Sequence, residues 1–203
     1  MKRVVSLLQK RAWPGLLLCM AMLSGCAAPP ELVRQTRLDS VLPVAIEQIE
    51  KFQLSGRISA KYDGQGFFGN LRWQHTAQRD EILILSPLGQ GVAQIAQHAG
   101  SVVLTTSEQQ RYQAQDAETL TEQVLGWRLP LAGMRYWVLG RAAPGQADMQ
   151  IDQLQRPARL LQDGWEIEYL AYREADGLVL PQKLIMHRQD LEMKLIIDDW
   201  VID

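Results

Sequence analysis

The stretch Phe52-Gln53-Leu54-Ser55-Gly56-Arg57-Ile58-Ser59-Ala60-Lys61-Tyr62-Asp63-Gly64-Gln65-Gly66-Phe67-Phe68-Gly69-Asn70-Leu71-Arg72-Trp73 decides the fold. Phe52, Leu54, Gly56, Ile58, Ala60 and Tyr62 share one face, and Gln53, Ser55, Arg57, Ser59 and Lys61 share the other. A period of two sustained this long describes an antiparallel strand with one face buried. Asp63 to Gly66 supplies turn residues. Phe67, Gly69, Leu71 and Trp73 then alternate with Phe68, Asn70, Arg72 and Gln74, as the returning arm of a hairpin should.

Downstream, a polar turn from Thr76 to Asp80 leads into Ile82-Leu83-Ile84-Leu85, apolar on both faces. Further strands are expected at 92–98, 101–106 and 110–114. The period then changes. Asp116 can cap a helix carrying Leu120, Val124 and Leu125 and closed by Gly126, and after Leu129-Pro130 a second helix carries Leu131, Met134, Trp137 and Val138 up to Gly140. Strands resume at 148–154 and 157–162, Asp163-Gly164 is a strong hairpin turn, and Trp165, Ile167, Tyr169 and Ala171 alternate with charged residues. Strands at 179–187 and 191–198, with a last piece around Trp200, complete the pattern. Upstream, Leu38, Leu42, Ala45, Ile46 and Ile49 recur at helical spacing and predict a helix near 40–51, Pro43 fitting only its first turn.

The sum is a mainly β protein, a meander of about 10–11 strands with about three helices. A meander of that length curls towards an incomplete antiparallel barrel. The two inserted helices then fall over its mouth as a lid on an apolar cavity.

The N-terminus carries a different signal. Lys2, Arg3, Lys10 and Arg11 precede an apolar run from Trp13 to Leu23, the form of a cleaved secretory leader over residues 1–25. Leu23-Ser24-Gly25-Cys26 resembles a bacterial lipobox, in which the cysteine sulfur takes a diacylglyceryl group and cleavage before it frees an amine for a third chain. Residues 26–38, with Pro29 and Pro30, then form a lipidated terminus and tether, and 39–203 a single domain. Two or three acyl chains anchor firmly where one does not. Ala27, not Asp, follows the cysteine, which by the sorting rule of such lipoproteins favours the outer membrane. With Cys19 lost in the leader and Cys26 acylated, no disulfide or cysteine zinc site is expected. The leader holds basic and no acidic residues, so the remainder is more acidic than the full chain's formal −2. That balance, without a Lys/Arg cluster, argues against nucleic acid as a partner.

Catalysis finds little support. His75, His98 and His187 stand at no metal-ligand spacing, and His75 and His98 read as solvated residues at strand ends. No G-x-S-x-G elbow or phosphate loop is present. No enzyme activity, cofactor or metal is expected. Trp73, Trp127, Trp137, Trp165 and Trp200 suit either an ordinary core or a lipid-sized cavity, since broad rings give large contact at low entropy cost. In Ser86-Pro87-Leu88-Gly89-Gln90-Gly91, Pro87 ends a strand and Gly89 permits a tight turn, leaving Leu88 at a loop tip. It either folds back on the core or serves as a wedge for a membrane.

Several stretches together resemble the LolB family of outer-membrane lipoprotein receptors, relatives of the LolA carriers. They are Gly56-Arg57-Ile58, Leu71 to His75, Leu83 to Gly89, Tyr112 to Ala117, Leu129-Pro130-Leu131, Tyr136 to Gly140 and Asp199 to Ile202. The resemblance implies an outer-membrane protein on the periplasmic face, monomeric and anchored at Cys26. It would accept acylated lipoproteins from the carrier LolA and place them, without ATP, among the phospholipids of the inner leaflet. It puts a membrane-insertion loop on Pro87, Leu88 and Gly89. The expected acyl cavity lies between the first hairpin (Phe52, Leu54, Ile58, Leu71, Trp73) and the helices at Met134 and Trp137, with Trp165 as a further wall. The alternative is a lipoprotein that scaffolds outer-membrane assembly without carrying lipid, through a surface and with a filled core.

Overall fold

The computed structural model describes residues 44–202. The leader, the lipobox with Cys26, the tether and the first residues of the expected N-terminal helix lie outside this range. Within it, α1 is a single turn, Val44–Glu47.

Eleven strands follow: β1 (Phe52–Tyr62), β2 (Gln65–His75), β3 (Arg79–Leu85), β4 (Gly91–His98), β5 (Ser101–Thr106), β6 (Arg111–Ala114), β7 (Asp148–Ile151), β8 (Pro157–Gln162), β9 (Trp165–Ala175), β10 (Leu178–Arg188) and β11 (Leu191–Ile202). Between β6 and β7 come α2 (Ala117–Leu125) and α3 (Leu131–Trp137). All strands form one antiparallel sheet in the order β6-β5-β4-β3-β2-β1-β11-β10-β9-β8-β7, which is not closed into a barrel. The first and last strands pair at its centre, and its two free edges are β6 and β7, the strands that flank the helices. Among the described residues, the helical segment is therefore the connection that joins one edge to the other, and it crosses the inner face to do so.

The opening hairpin keeps the register its alternation implies: Leu54 faces Trp73, Ile58 faces Gly69 and Tyr62 faces Gln65. From Phe52 to Ala60 the inward residues of β1 are buried and the outward ones exposed or half-buried, and Tyr62, at the end of the strand, is exposed. Against β11, Ser55 pairs with Asp199 but Gly56 pairs with Ile197, so Asp198 is an extra residue that bends the strand. A Cβ at Gly56 would lie 2.1 Å from the Ile196 carbonyl oxygen, so only glycine fits this bulge. The same bulge corrects the expected break before Trp200: β11 runs unbroken to Ile202. The strand expected over 148–154 stops at Ile151. There Asp152 turns the chain, accepting from the backbone N–H of Leu154 at 2.8 Å and of Arg156 at 2.9 Å.

The helix α2 begins where the Asp116 carboxylate accepts from the Thr119 N–H at 2.8 Å. It ends at Gly126, whose φ of 80° is the left-handed conformation of a helix stop. Thr121, inside α2, accepts from the Leu129 N–H at 2.9 Å and so fixes the turn into α3.

Candidate functional site

Strand direction sorts the connections between two ends of the sheet. The turns 63–64, 86–90, 107–110, 163–164 and 189–190 fall at one end, together with Leu88. The start of β1, His75, Asp80 and the 152–156 turn fall at the other. The helical segment meets both. Trp127, after α2, stacks on Phe67 near the first end at 6.0 Å between centroids, and Arg135 of α3 reaches Asp80 at the second.

The inner face is apolar throughout. Phe52, Leu54, Ile58, Leu71 and Trp73 from the first hairpin, Met134 and Trp137 from α3, and Trp165 from β9 are all buried in one hydrophobic cluster. The residues proposed from sequence as a cavity wall are thus brought together, β2 and β9 sharing a core although they lie far apart in the sheet. All five of Trp73, Trp127, Trp137, Trp165 and Trp200 are buried. Phe52 is wedged edge-on between Trp73 at 5.1 Å and Trp200 at 5.6 Å, and Trp137 lies 6.0 Å from Trp165. The interior is filled by these side chains. The larger depressions among the described residues lie at the rims instead, one of about 1080 Å³ beside Ala147, Trp165 and Arg188.

Polar groups fasten the helices to the sheet. The Trp137 indole N–H donates to Gln162 at 2.9 Å, and Gln162 also exchanges hydrogen bonds of 2.8 and 2.7 Å with the Ala143 backbone. At the opposite end the buried Asp80 carboxylate accepts from the Trp73 indole at 2.9 Å and meets His75 Nδ1 at 2.7 Å. Its other oxygen lies 3.6 Å from the Arg135 guanidinium of α3. The expected solvated imidazole at His75 is therefore corrected: its ring is largely buried, 4.9 Å from Phe52, because Asp80 draws it inward. His98 remains at the surface. Sequence reasoning missed Asp80 and Gln162. Asp80 shares the inward register of Ile82 and Ile84, and a carboxylate there needs partners, which was the available signal. Two buried donors on the inner face of β9, Trp165 Nε1 and the Tyr169 hydroxyl, have no hydrogen-bond partner among the described residues. Burial, and then neighbouring Tyr172, pushes the Tyr169 phenol well above its ordinary range.

The 86–90 turn is a tight one. Ser86 N–H donates to the Gln90 carbonyl at 2.7 Å, Gly89 N–H donates to the Ser86 carbonyl at 2.9 Å, and Gly89 has φ 82°. Leu88 does not fold back: it is 88% exposed, the most exposed large apolar residue described. Among the described residues no group of His, Cys, Asp and Glu is placed to hold a metal, and no helix is long and apolar enough to cross a membrane.

A family model described as "Outer membrane lipoprotein LolB" matches residues 50–200. Among curated proteins, the chain is 43% identical to an outer-membrane lipoprotein LolB of Nitrosomonas europaea, covering 94% of this chain and 92% of that one. It is 36% identical to an outer-membrane lipoprotein LolB of Azoarcus sp., covering 89% and 90%. Among solved structures, a LolA superfamily protein of Nitrosomonas europaea superposes with a TM-score of 0.53 at 17% identity, covering 83% of this chain and 94% of that one. A DUF1329 family protein of Desulfovibrio piger superposes at 0.51 with 8% identity, covering 79% and 88%. These last two likenesses are of fold.

Proposed function

The chain belongs to the outer-membrane lipoprotein family LolB, and from that premise we propose that it is a lipid-anchored receptor for acylated lipoproteins. In this reading Cys26 carries the anchor and the domain hangs on the periplasmic face of the outer membrane. It takes cargo from the carrier LolA, and delivers it to the inner leaflet. One observation carries the reading: an apolar interior under a helical segment that spans an open sheet from edge to edge. Such an interior can admit acyl chains once α2 and α3 lift.

The energetics follow from size. Each buried CH₂ of an acyl chain gains about 0.8 kcal/mol, so a triacylated protein does not wait in water but passes from one apolar site to the next. No nucleotide is required here if the preceding step has already raised the cargo out of its membrane. Trp165 and Tyr169 offer donors to the ester and amide carbonyls at the head of the acyl chains. Leu88, at a loop tip, enters the headgroup region and gains at most about 1.5–3 kcal/mol there. That is too little to hold the protein on a bilayer, and enough to disturb the leaflet beside the mouth.

The filled interior favours a second reading, a scaffold of outer-membrane assembly that carries no lipid. The two are separated by a transfer assay with purified components. A receptor takes radiolabelled lipoprotein from the carrier with saturable, one-to-one stoichiometry and passes it to liposomes. A scaffold leaves the label on the carrier.

A further inference from the structure

Leu88 is not the only apolar side chain presented at its end of the sheet. Phe68 is 60% exposed, on the outward face of β2. Asn70, two residues along the same face, pairs with Leu85, and its side-chain amide donates to the Ser86 carbonyl at 3.4 Å. Phe68 therefore projects level with Pro87 and Leu88, one strand away. Leu85, half-buried, continues the same outward patch. Phe68 itself pairs with Ser59, and beyond it Lys61 is exposed.

We propose that Phe68 and Leu88 form a two-point footing on the lipid bilayer, Leu88 entering as the tip and Phe68 as a second contact that fixes the tilt of the domain. The proposal rests on the receptor reading above. Three observations favour lipid as the occupant. Phe and Leu are among the side chains that interfacial segments bury at the boundary of headgroups and acyl chains. The cation beside the patch on the outward face, Lys61 of the adjacent strand β1, is in no ion pair among the described residues and suits anionic headgroups. At this end of β1 to β6 the acidic residues, Asp63 and Glu108, lie in turns; on the far side of β1, away from Phe68, the exposed Glu192 of β11 pairs with Lys61.

With two contacts on adjacent strands the domain cannot pivot freely about its tip, so the rim and the helices beside it meet the leaflet in one orientation. Leu154, 70% exposed on the 152–156 turn, marks the opposite end and should stay in water.

The test uses the full lipidated protein in vesicles of phosphatidylethanolamine and phosphatidylglycerol with brominated acyl chains. Phe68→Trp, Leu88→Trp and Leu154→Trp are compared with the parent, whose described tryptophans are buried. The expected result is loss of most of the added emission for Phe68→Trp and Leu88→Trp, and none for Leu154→Trp. Phe68→Ser should lower delivery into vesicles several-fold with acceptance from the carrier and the thermal midpoint unchanged. Quenching of Leu88→Trp alone overturns the footing and leaves the loop standing. Quenching of neither overturns the loop reading and the footing with it. Equal quenching of all three overturns the orientation. A Phe68→Trp signal that responds to the carrier and not to brominated lipid makes the patch a protein-docking surface and overturns the proposal.

Discussion

Trp137 on α3 and Gln162 on β8 are joined by a 2.9 Å hydrogen bond from the indole N–H to the side-chain oxygen, both residues buried. The bond ties the end of α3 to the β8–β9 hairpin. Trp137 also closes down on its own helix: a Cβ at Gly133 would lie 2.3 Å from its ring, so glycine is what lets the indole lie flat there.

Replacing Gln162 with leucine should therefore loosen the helices. It leaves the Trp137 and Ala143 N–H groups without acceptors, at about 1–3 kcal/mol for each buried group left alone. The thermal midpoint is expected to fall, and an acyl probe is expected to enter faster, because the helices that cover the interior lift more readily. Stopped-flow uptake of a hydrophobic dye checks this. A lower midpoint with unchanged entry would show that α3 is not the moving cover.

Leu54 tests whether the interior receives cargo. Leu54 is buried opposite Trp73. Leu54→Gln places an amide among apolar side chains, a cost of about 1–3 kcal/mol by mutational measure. Acyl-probe affinity and thermal midpoint must be read together. Affinity should drop by more than the fraction unfolded accounts for. Equal affinity in a well-folded variant would count against this wall of the cavity.

Leu88→Glu should separate acceptance from delivery. With the side chain in solvent, the substitution should change stability by no more than about 0.5 kcal/mol. Acceptance from the carrier should persist while release into liposomes falls sharply, since an unpaired carboxylate resists burial. Leu88→Phe should retain most delivery. Normal delivery by Leu88→Glu would remove the wedge role.

The Asp152 turn should show in acid. Partial burial pulls this carboxyl's pKa up, but hydrogen bonds from the Arg156 side chain and from the Arg156 and Leu154 N–H groups, with the Arg156 charge, hold it below the ordinary carboxylate value. A depressed pKa contributes stability that is present above the unfolded-state value and lost as pH falls through the folded one. Asp152→Asn should thus lower the midpoint near neutrality, and the gap from the parent should close on acidification below the usual carboxylate range. A gap that persists at the lowest pH at which the fold survives would mean that the turn is held by shape and not by charge.

Much of this was legible in the chain because alternation is a local signal. Phe52 to Trp73 specified both strands, their turn and the buried face. Asp116 and Gly126 marked the ends of α2, since caps are chemistry of single residues. What escaped depends on pairing across distance. The bulge at Asp198 appears only when β11 is laid on β1, so alternation alone ends the strand early. His75 has the sequence surroundings of a solvated residue because Asp80, its partner across the turn, follows a run of polar residues. Gln162 was unremarkable until α3 was folded over it. For the site, the sequence supplied the apolar list and the exposed Leu88, whereas the filling of the interior follows from helices whose placement no periodicity encodes.

The claim at the centre is that acyl chains enter the space between the sheet and α2/α3. It is tested most directly by titrating the soluble domain with a lipopeptide whose acyl chains carry bromine and following tryptophan emission. Trp73, Trp137 and Trp165 report from that space, and all are shielded from solvent. The account expects a saturable loss of emission at one lipopeptide per protein, weakened by Leu54→Gln. Emission that stays constant while the lipopeptide is bound would place the cargo outside the interior and contradict the account.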